Sequence, residues 1–156
     1  MQTFLPWPDF ATSAKALDMR RLGKQRVETL QILKALTDEN YGWQHHPATK
    51  MWRGYEVGLV NYGVAICAEW ITRGYKDTCL EKIEDMRCEI VRYRYKFQGE
   101  PEWIGMPGFH EAHRAMLYRK DPEFYSGFLG TFDPEIEDYI WPEGIDPNEW
   151  MLPEPD

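Results

Sequence analysis

The sequence predicts a mostly α protein: a single compact helical domain with an extended N-terminal arm and an irregular acidic C-terminal tail. Three observations carry that prediction. Apolar residues recur at helical spacing over about 18–37 and 48–73. Two prolines within the first eight residues forbid a long helix at the start. Charge is divided unevenly along the chain. The net charge is −8, and nine of the 26 acidic residues fall in 133–156, which holds no Lys or Arg. Residues 1–132 are left with 18 basic against 17 acidic residues, so the body is near neutral and the acidity belongs to the tail. We therefore divide the chain into a helical domain, 1–132, and an acidic, Pro-rich tail, 133–156, packed on that body. A length of 156 residues is enough for one domain with a sizeable core.

Taken in order, Phe4-Leu5-Pro6-Trp7-Pro8 reads as an extended arm packed through Phe4, Leu5 and Trp7. Asp9 suits the N-cap of a short helix over about 9–17, because its side chain can accept from free backbone N–H groups. A longer helix follows from about 18 to 37, with Gly23 as a weak point or a point of close approach. Tyr41–Pro47 is a loop with two aromatics and two histidines, and Pro47 suits the first turn of the next helix. That helix is expected over 48–73, striped by Met51, Tyr55, Leu59, Tyr62, Ile66 and Trp70. Gly54, Gly58 and Gly63 weaken it in isolation and are expected to serve close packing. Arg73-Gly74 ends it. Asp77 or Thr78 caps a stretch over 79–97 rich in alternating charge, with a short strand as an option over 92–97. Residues 99–108 read as a loop, 109–119 as a helix, and Asp121-Pro122 as the start of another turn. Trp141, Trp150 and Leu152 are spaced apolar anchors, from which the tail is expected to wrap the body.

Composition excludes several classes. No apolar run approaches the roughly 18 residues of a membrane helix, and the N-terminus lacks the basic-then-apolar layout of a signal peptide. A cytoplasmic protein without membrane contact is expected. Cys67, Cys79 and Cys88 are odd in number and form no Cys-x-x-Cys pair, which argues against a disulfide scaffold or a thiolate zinc site. His110 and His113 are spaced i, i+3, but His-Glu-x-His is not the metalloprotease pattern. We read them as a hydrogen-bonded or phosphate-contacting pair and expect no metal or cofactor. Gly-rich phosphate loops and a serine nucleophile elbow are absent.

One stretch concentrates chemistry. In Met19–Leu33, Arg20, Arg21, Lys24 and Arg26 precede Glu28, while Leu22, Val27, Leu30 and Leu33 recur near a helical period. At 100° per residue Arg21, Gln25 and Glu28 share one stripe, with Arg20 and Lys24 beside it. Such a face can hold a phosphate backbone beside an acid/base, or it can be an ordinary solvated face. A free α-amino group retains a larger neutral fraction near pH 7 than lysine does, so an arm packed beside this helix would bring a nucleophile with it.

At this point the chain resembles a known family, the pyrimidine-dimer DNA glycosylases of the phage endonuclease V type. The residues that carry the resemblance are collinear: MQTFLPWP, RRLGKQRVE, WQHHP, EWITRGYKD and FHEAHRAMLYRKDPEFY, together spanning about 1–125. The resemblance implies a compact helical enzyme that exposes a base and attacks the deoxyribose anomeric carbon with its N-terminal amine. A Schiff base forms and β-elimination nicks the strand. Carried over, Met1 supplies the amine and Glu28 the glutamate, although another alignment of the helix puts Gln25 there. Arg21, Lys24 and Arg26 match the phosphate-binding face, and Arg20 beside them is read as a further substrate-binding residue. His110, His113, Arg114, Arg119 and Lys120 match a second contact region. Two departures stand out: Gln2 is bulky, so Met1 is expected to stay in place, and the acidic tail would repel DNA unless it folds away from the basic face.

Three readings are therefore open on sequence. The first is a DNA glycosylase/AP lyase acting on damaged or modified bases. The second is a non-catalytic nucleic-acid or nucleotide binder of the same fold, using the basic helix and the Tyr41–His46 loop with His45 and His46. The third is an interaction protein whose acidic tail meets a protein partner.

Overall fold

A computed structural model describes residues 1–93 and 100–145. Seven helices make up its regular structure: α1 (Phe10–Ala16), α2 (Met19–Thr37), α3 (Pro47–Trp52), α4 (Glu56–Thr72), α5 (Leu80–Tyr93), α6 (Pro107–Lys120) and α7 (Pro122–Tyr125). There is no strand among the described residues, and the mostly α fold class is what the structure has. Of the strand option over 92–97, residues 94–97 lie outside the described residues, and Arg92 and Tyr93 end α5.

Caps explain why the helices begin where they do. Asp9 and Asp18 each accept from a backbone N–H three residues on, starting α1 and α2. His46 caps α3 through Nδ1, which accepts from the N–H of Ala48 two residues on, with Pro47 in the first turn. Asp77 accepts from the N–H groups of Cys79 and Leu80, which decides between the two candidate caps of α5.

The central element is α4, flanked by α1, α2 and α5. Its buried side, Leu59, Tyr62 and Ile66, packs in one cluster with Leu22, Ile32, Leu33 and Ile83. Gly63 allows the closest approach: a Cβ there would lie 2.7 Å from Thr29 Cγ2 on α2 and 3.0 Å from Ile83 Cδ1 on α5. Gly23 gives way to the Trp70 ring in the same manner, at 2.9 Å. Arg26 links the three helices, paired with Asp77 at 2.6 Å and lying 4.3 Å from the centre of the Trp70 ring.

The single helix expected over 48–73 is two. Gly54, at φ +86°, turns the chain between α3 and α4, and its N–H donates to the buried Glu56 carboxylate. Left-handed backbone at that position breaks the helical ladder while the apolar stripe continues across the break. Gly54 is thus a turn glycine rather than a helix-packing one, and Ile145 occupies the space a side chain would need.

Residues 1–8 form the expected extended arm. An isolated extended segment lacks the sheet neighbour that would satisfy its backbone, and here side chains supply the partners. Gln25 Oε1 accepts from Phe4 N–H and Gln25 Nε2 donates to the Gln2 carbonyl. Tyr62 donates to the Phe4 carbonyl, and His113 Nδ1 accepts from Leu5 N–H. His110 Nδ1 meets the Leu5 carbonyl at 2.8 Å. Phe4 and Leu5 are buried as the arm threads between α2, α4 and α6.

On the other side, residues 139–145 lie against α3 and the arm. Gly144 and Ile145 donate to the carbonyls of Lys50 and Arg53, and Tyr139 packs on Phe4 and His113. Trp150 and Leu152 lie outside the described residues.

Candidate functional site

The arm and the exposed side of α2 enclose a cavity of about 340 Å³. Its wall takes Met1, Gln2 and Phe4 from the arm, Arg20, Arg21, Lys24, Gln25 and Glu28 from α2, Lys120 from the end of α6, and Tyr139 from the tail. Four cationic side chains and one carboxylate thus line the same cavity as the chain's first residue.

Glu28 is anchored rather than loose. Its Oε2 accepts from Gln2 N–H at 3.2 Å and from the Gln25 amide at 3.0 Å, and its Oε1 lies 3.4 Å from Lys24 Nζ. The alternative posed by the helix alignment therefore has a geometric answer. Gln25 and Glu28, one turn apart, both face the arm, and the amide orients the carboxylate. Gln25 spends its oxygen on Phe4 N–H and Tyr62, so it is wholly occupied in holding the arm.

The Met1 nitrogen lies 3.5 Å from His46 Nε2. Burial, together with the charge of the N-terminus, lowers the His46 pKa, and the Glu28 carboxylate opposes that shift. Amine, imidazole and carboxylate therefore act on one another electrostatically. Trp43 and Trp141 flank the His46 ring edge-on, and Trp43 holds a left-handed backbone at φ 70° while remaining exposed.

Arg21 is tethered to Asp18 at 3.1 Å, and Asp18 also accepts from Tyr125. Burial alone would raise the Asp18 pKa, but the hydrogen bonds from Tyr125 and Arg21 outweigh it and lower it. Arg20, Lys24 and Lys120 are exposed at the rim.

Other candidate residues have different surroundings. Arg26 is absorbed by Asp77 and Trp70 on the face toward α4 and α5. His110 and His113 are buried against the Leu5 backbone and do not line the cavity. Burial pushes the His113 pKa down to about 3, with His110 adding to the effect, so its ring is neutral near pH 7. Arg114 donates to the carbonyls of Pro6 and Thr131, and Arg119 to that of Pro134, so both fasten the chain to itself. His45 is exposed in the loop.

Two residues of the site were not singled out for it by sequence. Tyr62 reads as core because it lies on the apolar stripe of α4, yet its hydroxyl orients Gln25. Tyr139 lies in an acidic segment with no periodicity to mark it.

The model of one protein family, described as pyrimidine dimer DNA glycosylase, matches residues 1–82, more than half of the chain. The chain belongs to that family. The match takes in the arm and α2, which together form most of the cavity wall, and also the loop that carries His46. No curated protein and no solved structure matches the chain. Family membership implies a DNA substrate, and no helix among the described residues is long and apolar enough to cross a membrane.

Proposed function

We propose that the chain is a DNA glycosylase/AP lyase acting on damaged or modified bases through a Schiff base on the Met1 amine. The observation that carries this reading is the placement of the N-terminus, Glu28 and four cationic side chains on one cavity. The Met1 nitrogen would attack C1′ of the extruded nucleotide, forming an N–C bond as the base leaves with the glycosidic electron pair. Glu28 would stabilise positive charge developing at C1′ and O4′, since its carboxylate is held in place before the reaction begins. The C1′–O4′ bond would then break, O4′ taking up the proton the amine gives up, to leave the Schiff base; loss of a proton from C2′ would next expel the 3′-phosphate oxygen with the C3′–O electron pair and nick the strand. Arg20, Lys24 and Lys120 would neutralise flanking phosphates.

The test is borohydride trapping on abasic-site DNA with the native N-terminus. A covalent adduct on Met1 is expected, absent when the amine is acetylated, and Glu28→Gln should abolish turnover. Failure to trap would reject amine catalysis. Glu28 already accepts two N–H donors, which favours the non-catalytic binder as the second reading. That reading expects salt-sensitive DNA binding that survives acetylation, with no adduct. We further propose a cytoplasmic location and a protein partner for the acidic tail. Truncating 133–156 checks the tail: a docking tail loses its partner and leaves DNA affinity unchanged.

A further inference from the structure

The His46 ring is fixed at both nitrogens. Nδ1 accepts the Ala48 backbone N–H at 3.0 Å as the N-cap of α3. A backbone N–H can only donate, so the proton of the neutral ring resides on Nε2. It is this Nε2 that faces the Met1 nitrogen. A ring N–H meets an amine favourably only through the amine's lone pair, whereas an ammonium would turn an N–H toward an N–H. We propose that His46 is a positioning residue for the Met1 amine, its Nε2–H holding the nitrogen by its lone pair at the cavity in the form that can attack. This rests on the amine-catalysis reading above.

Three features support the assignment. The ring cannot readily exchange its nitrogens, because rotation would sacrifice the cap of α3. It is clamped edge-on between Trp43 and Trp141, with centroids 5.9 and 6.2 Å away. At 3.5 Å the contact is long enough to steer the lone pair and release it when an electrophile arrives. The charged group facing the pair is Glu28 on α2, which in turn meets Lys24. With an abasic aldehyde, the lone pair forms the N–C1′ bond and the aldehyde oxygen departs as water with the two amine protons. The imine then accepts hydride from borohydride.

The test uses the full chain with its native N-terminus and measures single-turnover borohydride trapping on abasic-site DNA. His46→Asn keeps a side-chain oxygen to cap α3 but removes the ring N–H, and His46→Ser does the same with a shorter group. Both should trap about tenfold more slowly at saturating DNA and pH 7, with half-saturating DNA concentration and melting temperature near those of the unsubstituted protein. Wild-type trapping rates in both variants would overturn the assignment and leave His46 as a cap alone. Absence of any adduct from the unsubstituted protein would instead overturn the amine reading on which it rests.

Discussion

At the scale of single residues, Gln25 has the most to lose. Its two amide atoms serve Phe4, Gln2, Glu28 and Tyr62, and it is almost fully buried. Gln25→Ala leaves several buried polar groups unpartnered, each costing about 1–3 kcal/mol. We expect a loss of at least about 2 kcal/mol in urea unfolding, with the arm released and trapping lost. Lys24 behaves differently. It is exposed, so Lys24→Ala should leave folding almost unchanged while lowering the slope of log affinity against log salt by about one. The periodicity of α2 placed Gln25 and Glu28 on one stripe, which was enough to propose a site. It could not reveal that both meet the arm, because an extended segment has no period tying it to a neighbour. Arg26 shows the converse. It stands two residues from Glu28 in the same basic run, yet about 100° per residue turns it toward Trp70 and Asp77.

At the scale of elements, the glycines of the 48–73 stretch separate into three kinds. Gly63 lies where α2, α4 and α5 converge, so Gly63→Ala should cost about 1–3 kcal/mol by overpacking against Thr29 and Ile83. Gly58 is in the same helix, but a Cβ there meets Pro101 and Trp52 at ordinary contact distances of 3.4 and 3.5 Å. Gly58→Ala should be neutral or stabilise by up to about 1 kcal/mol through helix propensity. Thermal unfolding of the two variants side by side checks both. Gly54 belongs to neither kind, since its positive φ makes it a hinge between helices. Glycine content correctly marked the stretch as tightly packed. It could not distinguish turn from contact, because the residue that crowds Gly54, Ile145, is 91 positions away.

At the scale of the whole molecule, the N-terminal arm and Tyr139, far apart in sequence, are drawn to one wall. Gly144 fits against the carbonyls of Lys50 and Arg53 so closely that any side chain would overlap them. Gly144→Ala should lift residues 139–145 from α3, and limited proteolysis should then cleave there sooner. Acid should loosen the arm from the opposite side. An unfolded histidine takes up a proton near its ordinary value of about 6.5, while His113 in the fold refuses one until about pH 3. Its folded pKa is depressed, so its contribution is complete above about pH 6.5 and is lost as pH falls toward 3. Unfolding free energy should drop with a slope approaching ~1.4 kcal/mol per pH unit from this residue, and His113→Asn should flatten that slope in urea titrations at pH 7, 6 and 5. The charge division along the sequence was legible from composition, but the tail's contribution of Tyr139 to the cavity was not, since only packing selects that ring. One consequence concerns the order in which the molecule is made. The arm is synthesised first, yet its Leu5 peptide groups wait for His110 and His113, 105 and 108 residues later. A nascent chain that has completed α5 carries the whole stretch matched by the family, but only the α2 and α4 half of the arm's partners. Leu5 is thus secured only at the close of folding, so a ribosome-stalled chain ending before α6 should show helix while the Leu5 amide stays open to exchange.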